Sequence, residues 1–291
     1  MTSANTIEIA ETASGKSHRD ENFPVASRLI APPYRAPILA FYNFVRAADD
    51  IADHASLAPK EKLALLDRLE AALLQRGPDE APARALRDEL QRRSLSPQHA
   101  CDLITAFRRD VTQLRYRDWD DLIDYCRYSA MPVGRFVLDV HGEDAAATWP
   151  ANDALCAALQ VINHLQDCGK DYRNLDRVYL PQDTLAAYGA SVEMLGEEKA
   201  SPSLCAALQA LALRTDELLK EARPFAARIQ NLRLAMEVGA IQTLAEKLTL
   251  RLGIADPLSE KVHAGKAAFL LASAQGAAGV LLRRVFRGGR A

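Results

Sequence analysis

Five aspartates are the residues whose type and spacing best suit chemistry in this chain. The stretch FVRAADDIADH, residues 44–54, sets Asp49, Asp50 and Asp53 into an otherwise apolar helical pattern. Aspartate is a poor helix former, because its short side chain competes for backbone hydrogen bonds. A second stretch, CAALQVINHLQDCGKDY (156–172), carries Asp167 and Asp171. Each stretch holds one D-x-x-x-D motif. On a helical wheel Tyr42, Arg46, Asp49 and Asp53 fall within about 60° of one another, with Asp50 one residue out of phase. Gln160, Asn163, Asp167 and Asp171 line one face of the second helix, away from most of its apolar residues.

A solvated face would account for either pair alone. Solvated helical faces, however, favour Glu, Lys and Arg, which propagate helix and pair at i,i+4. These faces carry Asp, Asn and Gln, and like charges at i,i+4 repel. A cation between the carboxylates removes that conflict. Short carboxylates on rigid helices suit Mg²⁺, a hard ion that keeps several waters and bridges to substrate phosphates. Two facing stripes would hold a cluster of two or three such ions around a diphosphate. Asp110 and Asp118, in RRDVTQLRYRDWDDL, read instead as residues that order a helix junction.

The elements that must position these stripes are helices. Periodicity of the helical type dominates, and alternating strand patterns are almost absent. KEKLALLDRLEAALLQR (60–76) and AMEVGAIQTLAEKLTLRL (235–252) are amphipathic, as is the stretch 203–229, which Pro224 should interrupt. Breakers fall at 76–82, 94–98, 141–152 and 198–203. None is long enough for a domain linker, and no period of a repeat protein is present. The expectation is an all-α protein: a disordered N-terminal tail over 1–15, then a single domain over 16–291.

Composition narrows the classes. The 291 residues are 49% hydrophobic and 25% charged, with a formal net charge of −2. That balance argues against a nucleic-acid binder, which carries a strongly basic face. Five scattered cysteines without a CxxC pair indicate neither a disulfide framework nor a zinc site, and read as reduced thiols in a cytoplasm. The N-terminus lacks a signal-peptide pattern, and no apolar run reaches the ~20 residues of a membrane span. The stretch 266–290 ends in an apolar segment with four arginines. It suits either peripheral contact with anionic lipids of the inner membrane or a core helix with a solvated tail. No GxGxxG fingerprint is present, so no nicotinamide cofactor is expected.

Four stretches, FYNFVRAADDIAD (41–53), DLIDYCRYSAMPVG (121–134), ALQVINHLQDCGKDY (158–172) and RVYLP (177–181), stand in the order and spacing of one family. The chain resembles the squalene/phytoene synthases, head-to-head prenyl diphosphate synthases, from about residue 18 to 265. The resemblance implies a terpenoid synthase built as an all-α isoprenoid-synthase bundle around a central hydrophobic cavity. In that family two aspartate-rich motifs bind Mg²⁺ and substrate diphosphate. Carried over, Asp49, Asp53, Asp167 and Asp171 become metal-site residues with Asp50 in support, and Arg46 a diphosphate contact. Gln160 and Asn163 become polar cavity residues. Tyr42, Tyr125, Gly134 and Tyr179 match positions lining the cavity, and Phe23, in ENFPVAS, an aromatic that closes over the prenyl chain.

Two departures bear on the reaction. NHLQD stands where phytoene-type enzymes read NILRD, so Gln166 replaces an arginine; AMPVG stands where they read AGTVG, which brings Met131 and Pro132 near the reacting carbons. GKSHRDENFPVASRL with SAMPVGR most resembles the bacterial branch serving hopanoid-associated squalene biosynthesis. That branch takes presqualene diphosphate from a partner synthase, ionises it, and captures the rearranged cation with water to give hydroxysqualene. A flavin-dependent enzyme then reduces the alcohol. Such chemistry needs charge neutralisation at the leaving group, for which Arg46 suits a bidentate contact. It also needs aromatic faces toward the cation, which Phe23, Tyr42, Tyr125 and Tyr179 could present. Gln166, Asn163 and Tyr125 are candidates to hold the water, while Lys16, His18 and Lys170 read as solvated. Two alternatives stay open: a sibling synthase condensing two farnesyl diphosphates, and a non-catalytic helical protein that kept the fold.

Overall fold

The computed structural model describes residues 9–12 and 30–288. Phe23, Lys16 and His18 lie outside them. Among the described residues the regular structure is helical, and the β-type pairing is an isolated parallel bridge between Arg115 and Val178. The chain forms two compact units, whose boundary falls between Gln113 and Leu114.

The first unit contains α1 (Pro32–Asp53), α2 (Pro59–Leu73), α3 (Ala81–Arg93) and α4 (Gln98–Thr112). Helix α1 buries Ile38, Phe41, Phe44, Ala48, Ile51 and Ala52, a stripe at helical spacing, and packs on α3 and α4. A 3₁₀ turn at Ile9–Thr12, inside the stretch expected to be a tail, also packs on α1 and buries Ile9 and Thr12. The C-terminus of α1 leaves carbonyls without helical partners. Lys62 Nζ donates to one of them, Ala52 O, at 2.8 Å, and its charge suits the negative end of the helix dipole. Arg108 on α4 reaches back to Asp67 and Glu70 on α2, at 2.6 Å each, fixing those two helices together.

The second unit contains α5 (Trp119–Ser129), α6 (Met131–His141), α7 (Ala145–Leu175), α8 (Gln182–Ala187), α9 (Pro202–Ala222), α10 (Phe225–Arg228), α11 (Leu232–Leu252) and α12 (Lys266–Gly288). The 31-residue α7 is its axis, packing against α5, α6, α9 and α11. Side-chain caps set the starts: Asp118 accepts from Asp121 N for α5, Asp144 from Ala146 N for α7, Ser201 from Leu204 N for α9. Asp118 is thus the junction residue its sequence suggests. The expected break near Pro224 is the gap between α9 and α10. The breaker at 141–152 is shorter than expected, because the Asp144 cap starts α7 at once and Pro150 is carried within its second turn.

Two glycine contacts fix helix pairs in this unit. A Cβ on Gly134 would stand 2.0 Å from Asn152 Oδ1 and 2.7 Å from Cys156 Sγ, so α6 meets α7 there only without a side chain. A Cβ on Gly276 would stand 2.1 Å from Gly239 O, so α11 and α12 touch backbone to backbone. Arg135 completes the α6–α7 pair, donating from Nε to Asp153 at 2.8 Å while its guanidinium lies 4.5 Å from the Trp149 ring centre. Glu143 accepts from Gln230 N and Asn231 N at 2.7 and 2.8 Å, which ties the end of α6 to the start of α11. All five cysteines are free thiols, and burial pushes Cys101, Cys156 and Cys168 up to about 12, which keeps them protonated and unreactive. Among the described residues no helix is long and apolar enough to cross a membrane.

Candidate active site

The first aspartate stripe lies along the last two turns of α1. Arg46 donates to Asp49 at 2.8 Å and to Asp50 at 2.7 Å, one turn further along the helix. Asp50 is buried, with 6% of its side chain exposed, and Arg46 is its ion-pair partner. It therefore holds Arg46 in place. Asp49 retains 32% exposure. Its carboxyl is nevertheless pushed up from 3.8 to about 7, first by desolvation within the surrounding protein and then by repulsion from Asp53. Arg46 opposes the shift, and Asp110 and Asp50 add to it. Asp110, buried on α4, was read in the sequence as a junction residue only; its charge also bears on Asp49. Tyr42 is half-buried on the same helix.

The second stripe lies on α7, where Gln160, Asn163, Asp167 and Asp171 are all half-buried while Lys170 is exposed. Beside it stands a cluster of rings. The Tyr116, Tyr125 and Tyr179 centres lie 5.3–5.6 Å apart, in stacked and tilted pairs. His164 stacks on Tyr179 at 3.6 Å and 14°, and lies 6.0 Å from Tyr125. Burial, with the charge of Arg177 second, lowers the His164 pKa to about 3, so the imidazole is neutral. The Gln160 amide nitrogen lies 3.1 Å from His164 Nε2, and a neutral ring with its proton on Nδ1 accepts that bond. His164, Arg177 and Tyr116 were passed over in the sequence. Each stood inside a stretch already singled out, NHLQD, RVYLP and RRDVTQLRYRDWDDL, but stacking and burial leave no periodic trace.

Other expected site residues have packing roles. Gln166 is buried, and its amide nitrogen donates to Val262 O, which fastens α7 to the segment before α12. Gly134 is explained by the α6–α7 contact. Met131 packs in a cluster with Cys126 and Ala157, against Ile123, Cys156 and Leu218.

The donor set was compared with what a magnesium ion needs. Among the described residues no three His, Cys, Asp or Glu side chains gather closely enough to hold an ion by themselves. Each half-buried aspartate pair instead fits an ion that takes its remaining oxygens from water and substrate phosphate. The raised Asp49 carboxyl fits too, because an ion there would offset the repulsion among its neighbours.

The chain is 58% identical over 286 residues to the hydroxysqualene synthase of Rhodopseudomonas palustris, covering 98% of this chain and 96% of that protein. It is 55% identical over 273 residues to the hydroxysqualene synthase of Sinorhizobium fredii, covering 94% and 93%. The crystal structure of squalene synthase HpnC from Alicyclobacillus acidocaldarius superposes with a TM-score of 0.71 at 30% identity, covering 84% of this chain and 91% of that one. The family model for squalene/phytoene synthase matches residues 16–282. The chain therefore belongs to the squalene/phytoene synthase family.

Proposed function

We propose that this chain ionises presqualene diphosphate and captures the rearranged cation with water, releasing hydroxysqualene and diphosphate. The observation that carries the reading is similarity, over nearly the whole length of both chains, to proteins named hydroxysqualene synthase. Asp49, Asp53, Asp167 and Asp171 are assigned to Mg²⁺, which when bound neutralises charge on the departing diphosphate. Arg46, steadied by Asp50, adds a fixed guanidinium for phosphate oxygens. Tyr125 and Tyr179 offer ring faces to an allylic cation. A neutral His164 among them adds no charge to repel that cation, which a protonated imidazole would. Asn163 and Tyr125 are the candidates to hold the water.

Gln166 favours this substrate over two farnesyl diphosphates. It is a neutral amide where sibling enzymes carry arginine, and one of its donors is committed to Val262. A site that holds one diphosphate can spare a cation that a site for two requires. The substrate then comes from a synthase joining two farnesyl units, and a flavin-dependent reductase consumes the alcohol. The test is to incubate the purified protein with Mg²⁺ and presqualene diphosphate in ¹⁸O-labelled water and to analyse products by mass spectrometry. A labelled C30 alcohol, formed without a nicotinamide cofactor, is expected, with little C30 product from farnesyl diphosphate alone. Squalene from farnesyl diphosphate alone, or an unlabelled alcohol, overturns the assignment.

A further inference from the structure

Helix α12 is bound to its unit along one narrow side. Ala272, Gly276 and Val280 are buried, at i, i+4 and i+8, and Gly276 lies against Gly239 of α11. The remainder of the helix is unusually apolar for an exposed surface. Leu270 is 67% exposed, Leu271 and Leu282 57% each, and Phe286 73%, with Leu281 also exposed. At 100° per residue these five span about 160° of the helix, opposite the buried side. Exposed Arg283 and half-buried Arg284 stand about 60° and 40° beyond the two edges of this face, flanking buried Val280 at the C-terminal end of the helix. The Arg284 guanidinium also donates to Gln230 O at 3.0 Å and to Ile229 O, which pins that end of α12 to the turn after α10. Arg223, Arg283 and Arg284 line a groove of about 290 Å³ floored by Ala226 and Val280.

Charge bears on what this face would meet. Residues 261–291 hold six lysines and arginines and no acidic residue, although the whole chain carries −2. A second copy of the same surface would bring two basic segments together. A lipid surface with phosphate headgroups would pair with them and bury the leucines. Apolar side chains across nearly half a helix, with long cationic side chains beyond both borders, is the arrangement of a helix lying in the membrane interface. We propose that the exposed face of α12 docks this protein on the surface of an anionic bilayer, with Arg283 and its neighbours at the headgroup phosphates. On α11, Lys247 donates to Gln275 of α12 at 2.6 Å, exposed Leu250 follows it at i+3, and exposed Ile254 stands two residues past the end of that helix. The docking face thus continues onto α11. The docking is independent of which prenyl substrate the protein uses.

The test is co-sedimentation of the full chain with vesicles of phosphatidylcholine and phosphatidylglycerol, against phosphatidylcholine alone. Binding to the anionic vesicles is expected, weakening as salt rises from ~0.1 M to ~1 M. Leu271→Gln with Leu282→Gln, and separately Arg283→Glu, should each lower partitioning by about tenfold or more. These side chains are exposed, so circular dichroism should show an unchanged fold in both variants. Absence of binding to anionic vesicles, equal binding to neutral ones, or binding unaffected by the variants overturns the proposal. So does a concentration-dependent dimer, lost in the leucine variant, in a chain that ignores vesicles.

Discussion

Imidazole in an unfolded chain takes up a proton near pH 6.5, whereas His164, stacked on Tyr179 and facing the charge of Arg177, does so only near pH 3. The folded state therefore binds fewer protons than the unfolded state between those values. Stability on that account is full above pH 6.5 and is lost as pH falls toward 3. Between pH 7 and pH 5 the loss from this one residue is about 2 kcal/mol. His164→Phe keeps a ring against Tyr179 and removes the titration, so its urea midpoint should fall less than that of the parent chain between those pH values. Equal falls would mean that His164 is not held neutral in the fold. At this scale the sequence was legible where residue type was itself anomalous. Aspartates on a helix pointed to metal chemistry, but a neutral histidine depends on what lies against it, and that is set by residues distant in the chain, as with Tyr125, 39 positions before it.

Helices assemble here by contacts that no periodicity displays. The amphipathic stretches at 60–76 and 235–252 and the break at Pro224 were legible, because burial and backbone geometry follow directly from spacing and from proline. The start of α7 was not, since one capping aspartate outweighed a run of breakers. Nor was the reason for Gly134, which the family resemblance placed at the substrate and the structure places against Asn152 and Cys156. Gly134→Ala would drive Asn152 from its position, where it donates to Met131 O at 3.3 Å. The expected loss is about 1–3 kcal/mol, seen as a lowering of the melting temperature by several degrees. Gly279→Ala on α12 is the matched control. Its Cβ would meet Arg283 Nη2 at an ordinary 3.6 Å, and alanine is the better helix former. It should melt at or above the parent temperature. If both variants melt alike, the α6–α7 contact does not require a glycine at 134.

Charge is unevenly distributed along the chain. Asp49 sits among Asp50, Asp53 and Asp110, and its carboxyl is raised first by burial and then by repulsion from these neighbours. The C-terminal segment carries the opposite excess, six cations without an acid. An ion at the aspartates would relieve the first imbalance. No three side chains among the described residues form a site for it unaided, so an ion there would complete its coordination with water and phosphate oxygens. Magnesium and diphosphate should therefore bind as partners rather than independently. A ligand at about 100 times its dissociation constant stabilises the folded state by about 2.7 kcal/mol, enough to move a melting curve by several degrees. With inorganic pyrophosphate as the probe, Mg²⁺ alone and pyrophosphate alone should shift the melting temperature little, and the two together should shift it by much more than the sum. Asp53→Asn and Asp171→Asn keep side-chain shape and remove charge, so each should diminish the joint shift while leaving the helical spectrum unchanged. A joint shift that survives Asp171→Asn would remove that residue from the metal site, and a full shift with Mg²⁺ alone would mean that the protein holds its ion without phosphate.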